Sequence, residues 1–409
     1  MTEVLVVEQS EANSRFKLLV VARDPVGTGG GIVATETARR MAAMGHEVVF
    51  LSDYPLAVPL EMTTCKVMPL GEKLRQWSPR SKAASLVRHL VRLAAFSIYG
   101  RWYSGRLEGK GFVSIDHNLE AMGGDIVVLH NVFLAQAKAD QRRWQVKILH
   151  WLSPVFIFRL IRELKVLRSS RVHSAICVSE QTLAEAAGIL KAGIATPVIQ
   201  SGIDTNRFAP STEVERLRVR QEVGSSPEAF VTVFVGYEFE RKRLDLVIKA
   251  LALSAEHVVL WVVGGIFGSI EKYEALATRI GVRHRVVFLG KRSETEFIMQ
   301  AADCLVLPSD YETWGLVALE AMGCGVPVLM TPVGCAPHVI REAETGFVVD
   351  YSADSIAAAI RRLDEDADLL AHMRIQSRRE AERHDWDAVA RAYLREVQYV
   401  HARKSSNVT

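Results

Sequence analysis

In the stretch 307-LPSDYETWGLVALEAMGCGVPVL-329, two carboxylates, Glu312 and Glu320, bracket a tryptophan, a glycine and an apolar run. The run reads as a helix beginning near Thr313 to Leu316, after the strand CLVLPS and the loop Asp310-Tyr311-Glu312. Glu312 then stands at the helix mouth and Glu320 about two turns along. Two solvated acids, one of them favoured by the helix dipole, would account for that pattern. A ligand site would account for it as well. The free N–H groups around Gly315 and Leu316 suit a phosphate, and a glycine there lets it approach the backbone closely. Glu312 is placed to accept sugar hydroxyls, and Glu320 can take a vicinal diol such as a ribose with its two oxygens.

Three other constellations bear on the choice. Arg241-Lys242-Arg243 follows the apolar run FVTVFVG and precedes the amphipathic pattern Leu244, Val247, Ile248, Leu251. Three cations in such a loop are a solvated turn or the counter-charge of a diphosphate, gripped bidentately by arginine and as a point charge by lysine. The turn RDPVGTGGGIV follows the first apolar run, and Gly29, Gly30 and Gly31 expose backbone N–H groups at a helix start. It half-fits a dinucleotide fingerprint: Gly27 and Gly29 supply two glycines, Ile32 occupies the third position, and Asp53 ends the next strand where a ribose-binding acid would sit. His130 ends the run DIVVLH and is followed by Asn131, either a loop-satisfied histidine or a group at the ligand-binding edge of a sheet. Sugar, phosphate and ribose, read in order along one helix beside a basic loop, describe a nucleotide sugar.

The elements that must position these residues alternate along the chain. Short apolar runs at 16–22, 47–52, 125–130 and 173–179, and again at 230–236, 257–265, 285–290, 303–309 and 326–330, are separated by helical patterns. Runs of this kind belong to parallel strands buried on both faces. The expectation is an α/β chain of two Rossmann-like domains, 1–205 and 206–384, joined near the turn-rich SGIDTNRFAPSTEVE. The final helical pattern, 385–404, is left to pack on either.

With these residues in place, the chain resembles the retaining nucleotide-sugar glycosyltransferases of the GT-B fold, the glycosyltransferase family 4 type. The likeness covers nearly the whole length. It is strongest in VIQSGIDTNRFAP (198–210), in 288–334 with its E-x(7)-E element, and in HVIREAETGFVVDYSADSIAAAI (338–360). The resemblance implies that the two domains face each other across a cleft and that the last helix crosses back onto the first. It implies that Glu312 lies beside the transferred sugar and that Glu320 holds the nucleotide ribose. Gly29 to Gly31 with Arg241 and Lys242 would hold the diphosphate, and His130 would contact the sugar near the reacting centre. Thr313, Trp314, Gly315 and Leu316 complete the expected donor-binding set. Three positions depart from the family pattern: Tyr237 where many relatives have arginine, Trp314 for phenylalanine, and Ser201 for asparagine. Transfer with retention, no metal and no cofactor beyond the donor is the implied chemistry, with cations and helix dipoles stabilising the leaving diphosphate.

Composition narrows the partners. An apolar content of 49% and a charged content of 24% are those of a globular protein, and no run reaches the roughly 20 apolar residues of a spanning helix. No leader pattern is read at the start. The five cysteines form no C-x-x-C pair and are expected as buried free thiols in a reducing cytoplasm. The net charge of +3 divides unevenly: residues 1–205 hold 25 Lys/Arg against 18 Asp/Glu. Nine basic residues and one acid fall in 73–110, interleaved with Trp77, Phe96, Tyr99, Trp102 and Tyr103. That segment is read as facing an anionic membrane or a lipid-linked glycan acceptor. A second basic helix opens at Ser153-Pro154, its apolar stripe Phe156, Leu160, Leu164 and Leu167 read as packing on the sheet. No nucleic-acid recognition motif accompanies the charge. A nucleotide-sugar epimerase of the same architecture, a non-catalytic binder and a transferase with a soluble acceptor are the alternatives.

Overall fold

A computed structural model describes residues 15–25, 27–55, 63–78, 81–139, 151–265 and 270–406 of the chain. The readings placed on the first fourteen residues and on Arg80, within the basic segment 73–110, lie outside them. Among the described residues, twelve strands form two all-parallel sheets of six. The first comprises β1 (Lys17–Val21), β2 (Glu47–Ser52), β3 (Thr63–Val67), β4 (Phe112–His117), β5 (Ile126–Leu129) and β6 (Ser174–Cys177), in the order β3-β2-β1-β4-β5-β6. The second comprises β7 (Phe230–Gly236), β8 (Val258–Gly264), β9 (Val286–Gly290), β10 (Cys304–Leu307), β11 (Val328–Met330) and β12 (Gly346–Val348), in the order β12-β11-β10-β7-β8-β9. Numbered from its own first strand, each sheet has the doubly wound arrangement. Chain order reverses between β1 and β4 and between β7 and β10, the places where open sheets form their ligand crevices.

The apolar runs are central strands because helices cover both faces: Leu18 to Val21, Val231, Val233 and Phe234 are all fully buried. Three strands escape a search for such runs. β3 is a half-exposed edge strand and carries Thr63, Thr64 and Lys66 accordingly. β12 has only three residues. β4, FVSIDH, is buried throughout although half of it is polar, because each polar side chain finds an internal partner. Ser114 and Asp125 exchange hydrogen bonds, Asp116 accepts from the N–H groups of Ala121 and Gly123, and His117 meets His130. Four cysteines are buried as expected, but Cys65 is exposed, because it sits on the edge strand.

The chain divides into two compact units. One holds the described residues up to Gln200 together with those from Trp386 onward, and the other runs from Ser201 to Asp385. The final helix, Trp386–Ser406, packs on the helix Gly29–Ala43 and on β4 and β5. Ser201–Thr205 belong with the second unit rather than the first. Ile203 bridges to Asp385, and the Arg378 guanidinium donates to the carbonyls of Thr205 at 3.0 Å and Phe208 at 2.9 Å.

Candidate active site

In the second unit, the loops after β7 and β10 meet at the switch point. Gly315 (φ 92°, ψ 58°) turns the chain in a left-handed conformation that a glycine adopts without strain, and the helix Leu316–Gly323 follows. No side chain caps this helix, so the N–H groups of Leu316 and Val317 lack an intrahelical acceptor. Glu312 sits in the loop before it, buried at 8% exposure. Its Oε1 accepts from Lys242 Nζ at 2.7 Å and from Ser309 Oγ at 2.9 Å, and Arg241 Nη1 stands 3.2 Å away. Burial opposes the charge on Glu312, but Lys242 and Arg241 overcome it and hold the carboxyl below its ordinary range. Lys242 reaches Glu312 by passing over Gly236, where a Cβ would lie 2.2 Å from the lysine Cδ. The two loops are further tied by Asp310 N–H donating to the Arg241 carbonyl at 2.9 Å, and by Arg243 Nη1 on Asp310 at 3.0 Å. Thus the carboxylate read as facing the sugar and the cations read as facing the diphosphate form one ion cluster. Sequence spacing gave no sign of this pairing, since 70 residues separate Lys242 from Glu312.

Glu320 behaves differently. It is half-buried in the second turn of the helix and makes no hydrogen bond or ion pair with a described side chain. Burial pushes its carboxyl up to about 7, against the pull of Arg207 and Lys242 and with the repulsion of Glu296. Thr313, Gly315 and Leu316 are half-buried, whereas the Trp314 ring is buried between His338 and His384, with centroids 5.8 and 6.0 Å away. What Trp314 can offer a ligand is therefore its backbone.

In the first unit, Thr28 caps the helix Gly29–Ala43 by accepting from Gly31 N–H at 3.0 Å, which leaves the N–H groups of Gly29 and Gly30 as the uncapped donors. Gly29 is exposed, and Gly30 and Gly31 are buried. A Cβ on Gly30 would lie 2.7 Å from Asn118 Nδ2 and 2.8 Å from His130 Cδ2. The glycine loop and His130 are thus direct neighbours at the β1/β4 switch point. His130 is half-buried, and burial lowers its pKa to about 4. His117, which the sequence reading passed over, is 2.9 Å from it.

Asp53 is not available to a ribose. It is fully buried, with Arg92 Nη2 at 2.5 Å and Arg75 Nη1 at 3.6 Å. Among the described residues no three His, Cys, Asp or Glu side chains gather as a metal site. The D-x-D spacings at 364–368 and 385–387 lie at helix ends, where Asp366 caps Leu369 N–H and Asp387 pairs with Arg40.

The basic helix Lys82–Glu108 buries Leu93 and Phe96 and exposes Leu86, Val87, Val91, Ile98 and Trp102. It packs against the helix Pro154–Leu167, whose Phe156 and Leu167 are buried and whose Ile157 and Ile161 are exposed. No described helix is long and apolar enough to cross a membrane.

The fold recurs in solved structures. One is WaaG, a glycosyltransferase involved in lipopolysaccharide biosynthesis, at a TM-score of 0.72 and 22% identity over 92% of this chain and 98% of that one. Another is Anabaena Alr3699/HepE in complex with UDP-glucose, at a TM-score of 0.69 and 18% identity over 94% of this chain and 100% of that one. The D-inositol 3-phosphate glycosyltransferase of Streptomyces bingchenggensis (strain BCW-1) is 32% identical over 209 residues, 48% of this chain and 46% of that protein. The chain thus spans about half the length of the curated relatives it matches. Residues 215–380, most of the second unit and all of its ion cluster, match the family Glycosyl transferases group 1.

Proposed function

We propose that the chain transfers a sugar from a nucleoside diphosphate sugar to a glycan or lipid-linked glycan acceptor, with retention of configuration and without a metal. The observation that carries this reading is the cluster of Glu312, Lys242 and Arg241 at the β7/β10 switch point, beside the uncapped N–H groups of Leu316 and Val317. Two cations that share one buried carboxylate, with Arg241 also paired to exposed Glu238, are poised for exchange. An arriving diphosphate takes over Lys242 and Arg241, and Glu312 turns its released lone pairs to sugar hydroxyls. Glu320, with no competing partner, takes the ribose diol. No carboxylate is read as a nucleophile, so attack on the same face, assisted by the departing phosphate, accounts for retention. The group 1 match and the UDP-glucose complex of a solved neighbour support this donor class.

For the acceptor, the support lies in the first unit. Exposed Val87, Val91, Ile98 and Trp102 with Ile157 and Ile161 give two neighbouring helices an apolar surface, with Arg106 stacked over Trp102, which fits a peripheral position on the cytoplasmic face of an anionic membrane. The involvement of WaaG in lipopolysaccharide biosynthesis points the same way. A thermal-shift screen of nucleotide sugars tests the donor: a ligand at about a hundred times its Kd adds about 2.7 kcal/mol. Product analysis with donor alone separates transfer from epimerisation, since an epimerase converts the donor without any acceptor.

A further inference from the structure

β4 and β5 run parallel, with Asn118 N–H donating to the Val128 carbonyl at 3.0 Å. This register sets the last residue of β4, His117, beside the first residue beyond β5, His130. The two rings have centroids 5.2 Å apart and planes inclined by only 16°. Their contact joins Nδ1 of His117 to Nε2 of His130 at 2.9 Å. His117 is fully buried, and its remaining nitrogen, Nε2, is buried without a hydrogen-bond partner among the described residues. Tyr393 of the final helix lies nearly parallel to it at 6.2 Å. His130 is half-buried, and its one nitrogen not held inward is Nδ1.

Burial keeps both rings neutral near pH 7. A neutral pair at this distance shares one proton, which leaves two arrangements. If His130 donated from Nε2, the proton of His117 would sit on its other nitrogen, a buried N–H with no acceptor. If His117 donates from Nδ1, the partnerless nitrogen carries only a lone pair. Orphaned buried N–H groups are the rarer defect, so the second arrangement is favoured. It places the His130 proton on Nδ1.

We propose that His117 is a positioning residue that fixes His130 as a hydrogen-bond donor through Nδ1, so that this nitrogen gives a hydrogen bond to a sugar oxygen and cannot accept a proton from a hydroxyl. The proposal rests on the reading of His130 as the residue that meets the transferred sugar. It assigns His130 an electrostatic role and removes it from the candidates for a general base. Through Tyr393, the final helix helps to hold the pair.

The test is a long-range ¹H–¹⁵N spectrum of the full chain labelled at histidine, with signals assigned by His117→Asn and His130→Asn. A protonated Nδ1 and an unprotonated Nε2 on His130 are expected, and protonation at Nε2 overturns the proposal. Kinetics give a second readout. His117→Phe removes the donor and should lower kcat about tenfold while the donor KM stays within about threefold. His117→Asn, whose amide can still donate to Nε2, should recover most of that loss. Unchanged kcat in a folded His117→Phe, with the His130 signals unmoved, overturns the proposal. If instead His130→Phe keeps full turnover, the sugar reading fails. The wild-type spectrum answers the tautomer question independently of that outcome and of whether any variant folds.

Discussion

Glu320→Gln should make the protein more stable and its nucleotide binding weaker. Glu320 is half-buried, without a hydrogen-bond partner, and its carboxyl is raised from the ordinary 4.5 to about 7. A carboxyl whose folded pKa is raised favours the folded state fully below its unfolded value, and that contribution is lost as pH rises through the folded one. Each pH unit of the gap is worth about 1.4 kcal/mol, so ionised Glu320 costs the ligand-free protein about 3 kcal/mol above pH 8. Glutamine keeps the shape and loses the charge. The variant's advantage should therefore be small at pH 4.5, grow through pH 7 and level off near pH 8.5. There it corresponds to about 6–12 °C for a unit of this size. Over the same range the wild type should gain affinity for nucleoside diphosphates as pH rises, since a ribose diol donates to the ionised carboxylate. The variant should lose about tenfold to hundredfold in that affinity, the worth of a charged hydrogen bond. Paired thermal unfolding and calorimetric titration at pH 4.5, 7 and 8.5 measure both effects. Equal stability of the two proteins at pH 8.5, or a difference that does not change with pH, would refute the burial argument. Unchanged affinity would remove Glu320 from the ribose.

Lys242→Met should weaken nucleoside diphosphate binding about tenfold to hundredfold by calorimetry, and should destabilise the protein because Glu312 stays buried with Arg241 and Ser309 alone. Adding Glu312→Gln should restore much of that stability and none of the affinity. Asp53→Asn should cost about 3–5 kcal/mol in urea unfolding by stranding Arg92, yet leave donor affinity unchanged; loss of affinity instead would revive a ribose role for Asp53. Activity should survive excess EDTA, and loss that Mg²⁺ or Mn²⁺ reverses would show a metal requirement. The protein should co-sediment with anionic vesicles at low salt and not with neutral ones. Ile98→Ser with Trp102→Ser should abolish the difference, and a wild type that ignores anionic vesicles would end the membrane reading.

What the sequence made legible was what is local. Central strands such as FVTVFVG and the loop-to-helix passage at Gly315 are written in consecutive residues, so they could be read directly. β4 could not, because Ser114, Asp116 and the Nδ1 of His117 are partnered by groups 5 to 13 residues away that no periodicity reveals. The same limit governs the site. Asp53 looked like a ribose ligand from its place after β2, but Arg92, 39 residues on, occupies it. Glu312 and Lys242 were each singled out for a ligand, yet their bond to each other belongs to the fold. Gly236 was the one available hint, a residue without a side chain at the position Lys242 must cross.

The first unit is written in two pieces, with the whole second unit inserted between them. On the ribosome its sheet emerges before the second unit, whereas Tyr393 and Lys404, which lie against His117 and hold Asp125, emerge after it. A nascent chain stopped before residue 386 can complete the second unit with its ion cluster, while the histidine pair of the first unit still lacks its backing. On the proposed function, donor binding and turnover would mature at different times during synthesis. A chain released before residue 386 would carry the ion cluster of the second unit without the ring of Tyr393 against His117.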